Sequence, residues 1–377
     1  MPRRWILSLA AVVAVVAVAL VAAGPAPATP GATTGTTASG AGVGHVFVVN
    51  LENKDYRATW GRGSPATYLN ATLRPQGLVL TRYFGTAHHS LPDYIAQISG
   101  QGPSEQTQAD CPEFTEFALT GTGAFEQALG DGCVYPSSVV TIADQLEAAG
   151  LAWKAYQEDI GSSATAATTC RHPKLGGTDR TLTARRGDQY ATRHNPFMYF
   201  HSVIDSPTCG DKVVGLDALA RDLTTVETTP AYSYITPNLC NDGHDDPCVD
   251  GRRGGLVAAD AWLREWMPRI LHSPAFRQDG MLVITFDEAE DDARSCCDSP
   301  APPNVVRAGI TGPGGGRVGA LVLSPFVTPG TTSRVAYNHY SLLCSVEDVF
   351  GLARLGYAAH PALACFGADV YTRQPAP

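Results

Sequence analysis

His45-Val46-Phe47-Val48-Val49-Asn50-Leu51-Glu52-Asn53 is the stretch on which the reading of the whole chain turns. Its β-branched and aromatic run, Val46 to Val49, has the pattern of a strand buried on both faces of a parallel sheet. The run stops abruptly at Glu52 and Asn53, two oxygen-bearing side chains in succession. In open α/β sheets, ligands sit in the crevice beyond the carboxyl ends of the strands. A carboxylate and an amide placed there can hold a cation. Taken alone, they are equally the first polar residues of a turn.

Working outward, the same pattern recurs. Met281 to Phe286 is a second buried strand that runs into Asp287-Glu288, and Ala231 to Thr236 is a third that leads toward Asn241-Asp242-Gly243-His244-Asp245. Leu78 to Phe84, Leu151 to Tyr156 and Val318 to Leu323 read as further extended segments. Between them lie segments of 3.6-residue periodicity: Ser64–Leu73, Asp93–Gly100, Thr141–Ala149, Val214–Leu223, Gly254–Leu271 and Tyr340–Leu352. Strands alternating with helices predict a three-layer α/β/α sandwich with a largely parallel central sheet. Residues 101–138 and 161–188 are loop-rich and read as insertions.

Composition sets the context. Arg3 and Arg4 precede an apolar run from Ile6 to about Ala23, followed by Ala26-x-Ala28, the pattern of a cleaved secretory signal peptide over residues 1–28. An uncleaved anchor is the competing reading, because the run approaches membrane-spanning length. Residues 29–43 read as a flexible leader, 44–370 as a single domain and 371–377 as a disordered tail. Formal net charge is −9 with no basic tract, which argues against nucleic-acid binding. The ten cysteines and the export signal favour disulfides over a zinc site. Proximity along the chain suggests Cys111–Cys133, Cys170–Cys209, Cys240–Cys248 and Cys344–Cys365, leaving the adjacent Cys296 and Cys297. Sequence leaves this connectivity open.

The chemistry follows from the strand ends. If the three acidic strand ends share one crevice, their carboxylates repel, and an oxygen-rich site of that kind suits one divalent cation such as Mg²⁺, Mn²⁺ or Ca²⁺. Ser90, in Ser90-Leu91-Pro92-Asp93-Tyr94, stands just before a helix, where backbone N–H groups favour an anion. It is also a natural N-cap. No G-x-S-x-G elbow surrounds it, so attack on phosphorus fits better than acyl transfer. His244, between Asp242 and Asp245, is the best-placed general acid.

These stretches together resemble a known family. His45–Lys54, Ser90–Tyr94, His194–Phe197, Asn241–Asp245, Leu282–Glu288 and Asn338–Leu343 are similar, in order, to the bacterial phosphoesterases that unite secreted acid phosphatases with phospholipases C. Within that family, the resemblance is to exported phosphatases of phosphatidylinositol 3-phosphate. It implies an alkaline-phosphatase-like fold and a single divalent metal held by Glu52, Asn53, Ser90, Asp287 and Glu288. It implies a phosphoseryl intermediate at Ser90, His244 as leaving-group acid with Asp242 beside it, and His194 on the phosphate. His89 and His339 join His194 as substrate-binding candidates. No obligate protein partner is expected beyond a phosphate-ester substrate, with a phosphoinositide at a membrane surface as one form. The Glu52-Asn53-Lys54-Asp55-Tyr56 motif departs from the phospholipase C form, which counts against the alternative of diester headgroup cleavage. An alternative of another class is an exported ligand-binding protein whose acids hold only a structural cation. A serine facing the acids counts against it.

Overall fold

The structure is a computed structural model that describes residues 1–2 and 42–373. The expected signal peptide, the leader as far as residue 41 and the tail from residue 374 lie outside the described residues. Eight strands build the central sheet: β1 (His45–Leu51), β2 (Leu78–Phe84), β3 (Trp153–Gln157), β4 (Val213–Val214), β5 (Tyr232–Thr236), β6 (Gly280–Phe286), β7 (Ala320–Leu323) and β8 (Thr331–Asn338). Their spatial order is β8-β2-β7-β6-β1-β5-β3-β4. β7 alone runs antiparallel to its neighbours, so the sheet is largely parallel as expected.

β1 lies inside the sheet, paired in parallel with β6 on one side and β5 on the other. Both faces of the strand are covered. Asn50 points to one face, where its amide donates to Gln97 at 2.9 Å. Phe47 points to the opposite face, where its ring packs 6.4 Å from that of Phe276. Odd and even residues of a strand take opposite sides, so helices flank the sheet on both faces. Gln97 belongs to α1 (Ser90–Ser99), and α2 (Ile142–Ala148) and α3 (Leu216–Asp222) follow it. Phe276 belongs to α5 (Pro274–Asp279), which follows α4 (Gly255–Leu271). α6 (His339–Phe350) closes the set. The fold is therefore the predicted three-layer α/β/α arrangement. Each fully buried Val, Leu or Phe of β1 contributes roughly 1.5–3 kcal/mol relative to exposure.

Two elements differ from their sequence reading. α1 begins at Ser90, earlier than the periodicity suggests, because Leu91 and Pro92 are themselves buried and occupy its first turn. Pro92 is tolerated there because the first N–H groups of a helix have no intrahelical partner. At the other end Gly100 takes φ 68°, and a Cβ there would meet the Leu355 carbonyl oxygen at 2.3 Å. The expected helix over 64–73 is present but irregular, a π-helical turn over Leu69–Leu73 continued by a 3-10 turn over Arg74–Gln76, and its entry is held by Asp260 of α4 accepting from the Tyr68 and Leu69 N–H groups at 2.9 and 2.8 Å. β8 escaped sequence reading altogether. It is an edge strand with exposed Thr332, Arg334 and Val335, so no apolar run marks it.

The five disulfides are Cys111–Cys133, Cys170–Cys209, Cys240–Cys248, Cys296–Cys297 and Cys344–Cys365. They include all four pairings suggested by proximity. Cys111–Cys133 and Cys170–Cys209 tie down the two insertions. Closing loops of this length stabilises by about 3–4 kcal/mol each in the chain-entropy account.

One buried acid away from the strand ends gives a stability prediction. Glu347 of α6 accepts from the Leu355 N–H at 2.9 Å, while its other oxygen has no partner. Burial pushes its carboxyl up to about 9. The folded protein therefore holds this proton more tightly than the unfolded chain does. The stability that the proton confers is complete below about pH 4.5 and is lost as pH rises through about 9. Glu347→Gln keeps the acceptor for Leu355 and cannot ionise. It should leave the thermal midpoint nearly unchanged at pH 4.5 and raise it by roughly 2–5 °C at pH 8. Thermal unfolding at the two pH values checks this, and an equal shift at both would refute it.

Candidate active site

Three strand ends meet where the parallel sheet predicts. The Glu52 N–H donates to the Asp242 carbonyl at 2.9 Å, and the Asp287 N–H donates to the Leu51 carbonyl at 3.0 Å. These bonds lock the end of β1 between the loop after β5 and the end of β6. Asn53 then adopts φ 46°, a left-handed conformation that asparagine tolerates better than most residues. That turn directs its N–H to Asp287 Oδ1 at 3.0 Å and its side-chain amide to Glu288 Oε1 at 2.9 Å. Glu52, Asn53, Asp242, Asp287 and Glu288 are thus gathered at one place.

α1 delivers the serine. Ser90, at the helix's first position, donates its hydroxyl to Glu52 Oε2 at 2.9 Å. One turn on, the Tyr94 hydroxyl donates to Glu52 Oε1. The Tyr94 ring stacks on His194, with centroids 5.3 Å apart. His194 is enclosed: Nδ1 lies 3.1 Å from Asp242 Oδ2, and Nε2 lies 3.3 Å from Glu52 Oε1 without the alignment of a hydrogen bond. Glu52, His194 and Asp242 form a compact trio whose ligating atoms lie within 4.8 Å of one another.

Five buried carboxylates, Glu52, Asp93, Asp242, Asp287 and Glu288, crowd this centre, with Asp110 partly buried at its edge. Arg193 is the one buried guanidinium among them, with Nε 3.6 Å from Asp110 Oδ2. Burial, then Asp287 and Asp242, holds the Glu52 carboxyl well above its usual range. Burial likewise raises Asp242, and burial with Asp287 raises Glu288. Burial, then Arg193 and His244, pushes the His194 imidazole down. Two buried oxygens, Asn53 Oδ1 and Asp287 Oδ2, have no hydrogen-bond donor, and Glu288 Oε2 has only the His88 imidazole, 3.1 Å away and outside hydrogen-bond alignment. Orphaned acceptors of this kind normally find a partner, and a hard divalent cation is the partner that an oxygen-rich donor set fits. The residues present therefore fit a metal ion.

His244 keeps Nδ1 on Asp245 at 2.8 Å and places Nε2 3.2 Å from the Arg193 guanidinium. Since Arg193 can only donate, Nε2 accepts in this arrangement. Service as an acid requires that nitrogen to carry a proton and face the leaving oxygen. His244 also borders an open groove of about 1190 Å³ that Lys54 and Arg57 line. His89 is exposed, as His244 is, with Nδ1 4.0 Å from Asp110 Oδ2.

His339 corrects its expectation. It is fully buried, donating from Nε2 to the Asp287 carbonyl at 2.6 Å and accepting at Nδ1 from the Tyr83 hydroxyl at 3.1 Å. Burial pushes its imidazole down to about 4, which keeps it neutral. With no edge free for substrate, it instead positions the Asp287 backbone. Sequence reading also passed over Arg193, Asp110 and Tyr94. Tyr94 read as a core position of α1, and its ring does pack there. Asp110 lies in an insertion, and its one signal was the neighbouring disulfide Cys111. His88 lies 3.1 Å from Glu288 Oε2.

The sequence matches the Phosphoesterase family over residues 65–353, and the chain belongs to that family. It is 27% identical over 284 residues to a phosphate-repressible acid phosphatase of Penicillium chrysogenum, covering 75% of this chain and 54% of that one. It is 24% identical over 316 residues to a phosphatidylinositol-3-phosphatase of Mycobacterium tuberculosis, covering 84% and 80%. A solved protein of the alkaline phosphatase superfamily from Vibrio parahaemolyticus aligns with a TM-score of 0.48 at 12% identity, covering 89% and 71%. The chain spans 54%, 60% and 57% of the length of the first three acid phosphatases that it matches.

Proposed function

We propose that the chain is an exported, metal-dependent phosphomonoesterase of the acid phosphatase type, with residues 44–370 as its catalytic domain and phosphatidylinositol 3-phosphate as a candidate substrate. The observation that supports this most directly is the Ser90 hydroxyl, aimed at Glu52 from the first turn of a buried helix into a cluster of acids. A structural cation cage has no use for that hydroxyl, whereas nucleophilic attack on phosphorus requires one beside a proton acceptor.

Ser90 Oγ attacks phosphorus as its proton passes to Glu52 Oε2, to which the hydroxyl already donates. The bond to the leaving oxygen breaks, and His244, turned from Arg193, supplies the proton that this oxygen needs. The resulting phosphoserine is hydrolysed by water in the reverse sense. Arg193 offsets the charge of the neighbouring carboxylates, and His339 and Tyr94 fix Asp287 and Glu52 in place. Glu52, Asn53, Ser90, Asp287 and Glu288 are the proposed holders of the divalent ion. When bound, it supplies the positive charge that this acidic centre lacks for an anionic substrate.

Turnover of 4-nitrophenyl phosphate and bis(4-nitrophenyl) phosphate, each with and without EDTA, tests the reading. The monoester should be hydrolysed faster by about tenfold or more, and chelation should stop it. Faster diester turnover, or turnover indifferent to EDTA, would overturn the proposal.

A further inference from the structure

The insertion read as irregular, 161–188, folds against the residues after it into a walled cavity of about 540 Å³. That lies within the roughly 300–1,000 Å³ typical of small-molecule sites. The walls are built rather than loose. Gly177-Thr178 pairs as a strand with Glu113-Phe114, Cys170 is bonded to Cys209, and Arg171 grips Asp188 with two bonds of 2.8 and 2.7 Å.

The charge of the lining is net positive. Asp188 is neutralised by Arg171, while Asp179 accepts only from the neutral Thr181 N–H and hydroxyl, at 2.8 and 2.7 Å, and so keeps its charge. Lys174, Arg180 and Arg185 line the same cavity, are exposed, and make no ion pair among the described residues. In a chain of net charge −9, these three unpaired cations outnumber the one unpaired acid of the lining, Asp179, so the cavity is a local region of positive charge. Nor is the cavity remote from the chemistry. Thr192 lines it, and His194 follows two residues later, at most about 7 Å along the chain. Arg193, between them, donates to the Leu182 carbonyl at 3.0 Å, tying the insertion to the acidic centre.

We infer that this cavity is a second anion subsite, which takes another phosphate-bearing group of the substrate while the scissile phosphate sits at Ser90. The inference rests on the phosphomonoesterase reading and narrows it to headgroups carrying two phosphates, whether free in solution or on a lipid. Lys174 and Arg180 supply charge to that group, and Arg185 closes over it from the tight turn at Arg185–Asp188.

The test is the full chain carrying Lys174→Ser, Arg180→Ser and Arg185→Ser together, at low ionic strength, where such charges are least screened. Three substrates are compared: inositol 1,3-bisphosphate, phosphatidylinositol 3-phosphate in phosphatidylcholine vesicles, and 4-nitrophenyl phosphate. KM for both inositol substrates should rise about tenfold or more with kcat held, while 4-nitrophenyl phosphate is turned over as by the parent. A control with Arg277→Ser and Arg334→Ser, exposed cations away from the cavity, should change none of these. An equal rise for all three substrates, a rise confined to vesicles, or no rise would overturn the subsite. Failure of the parent protein to hydrolyse any of the three would instead sink the phosphomonoesterase reading. In that case calorimetric titration with inositol hexakisphosphate still decides the cavity. Binding about tenfold weaker in the triple variant supports it, and equal binding overturns it.

Discussion

Ser90→Ala will lower kcat/KM for 4-nitrophenyl phosphate by about 10³-fold or more, in line with the loss of nucleophiles elsewhere, and will leave a folded protein. The side chain removed is small, and alanine suits a helix better than serine does. What is lost in stability is one buried hydrogen bond, the 2.9 Å contact to Glu52 Oε2, at about 1–3 kcal/mol for the acceptor left unsatisfied. Glu52 keeps its bond from Tyr94, so it stays in place without a nucleophile beside it. Acid quench of the parent protein during turnover should trap phosphate on the peptide containing Ser90, and mass spectrometry should find none in the variant. Retention of a tenth of the parent activity, with normal circular dichroism, would remove Ser90 from the mechanism.

The parts of this centre that sequence revealed are those carried by strands. β1 and β6 are buried on both faces, so their apolar runs are unbroken, and their first polar residues, Glu52-Asn53 and Asp287-Glu288, are conspicuous for that reason. Parallel pairing then brings the two ends together in register, with Leu51 opposite Phe286. Ser90 was legible because Pro92 and the apolar spacing after it mark a helix start. Arg193 and Asp110 come instead from a short turn and an insertion, where no periodicity ties residue number to direction. Their meeting at 3.6 Å depends on the packing of loops. His339 was misjudged for a related reason. A histidine at a helix start in a polar context looks available, yet β8, which precedes α6 and had no sequence signal, delivers it to the interior beneath Asp287.

Asp287→Asn is the sharper test of the cation, because the metal-free protein and the metal-bound protein should respond in opposite directions. Asp287 Oδ1 accepts from the Asn53 N–H at 3.0 Å, and asparagine retains that acceptor. Oδ2 is buried without a donor, and Asp287 raises the proton affinity of Glu52 and Glu288 around it. An amide in its place removes one charge from a crowded acidic centre and offers N–H groups to the carboxylates nearby. In EDTA the variant should therefore melt higher than the parent, by roughly 2–4 °C for each kcal/mol of relieved repulsion. Added Mn²⁺ or Mg²⁺ at 100 times its dissociation constant should stabilise the parent by about 2.7 kcal/mol. The variant, missing a charged ligand, should gain little and should turn over 4-nitrophenyl phosphate about 10³-fold more slowly. Stability separates this account from a simple packing defect, which would lower the midpoint in EDTA as well. If the parent gains nothing from either ion, or if the variant melts below it in EDTA, the acids of the strand ends do not hold a metal.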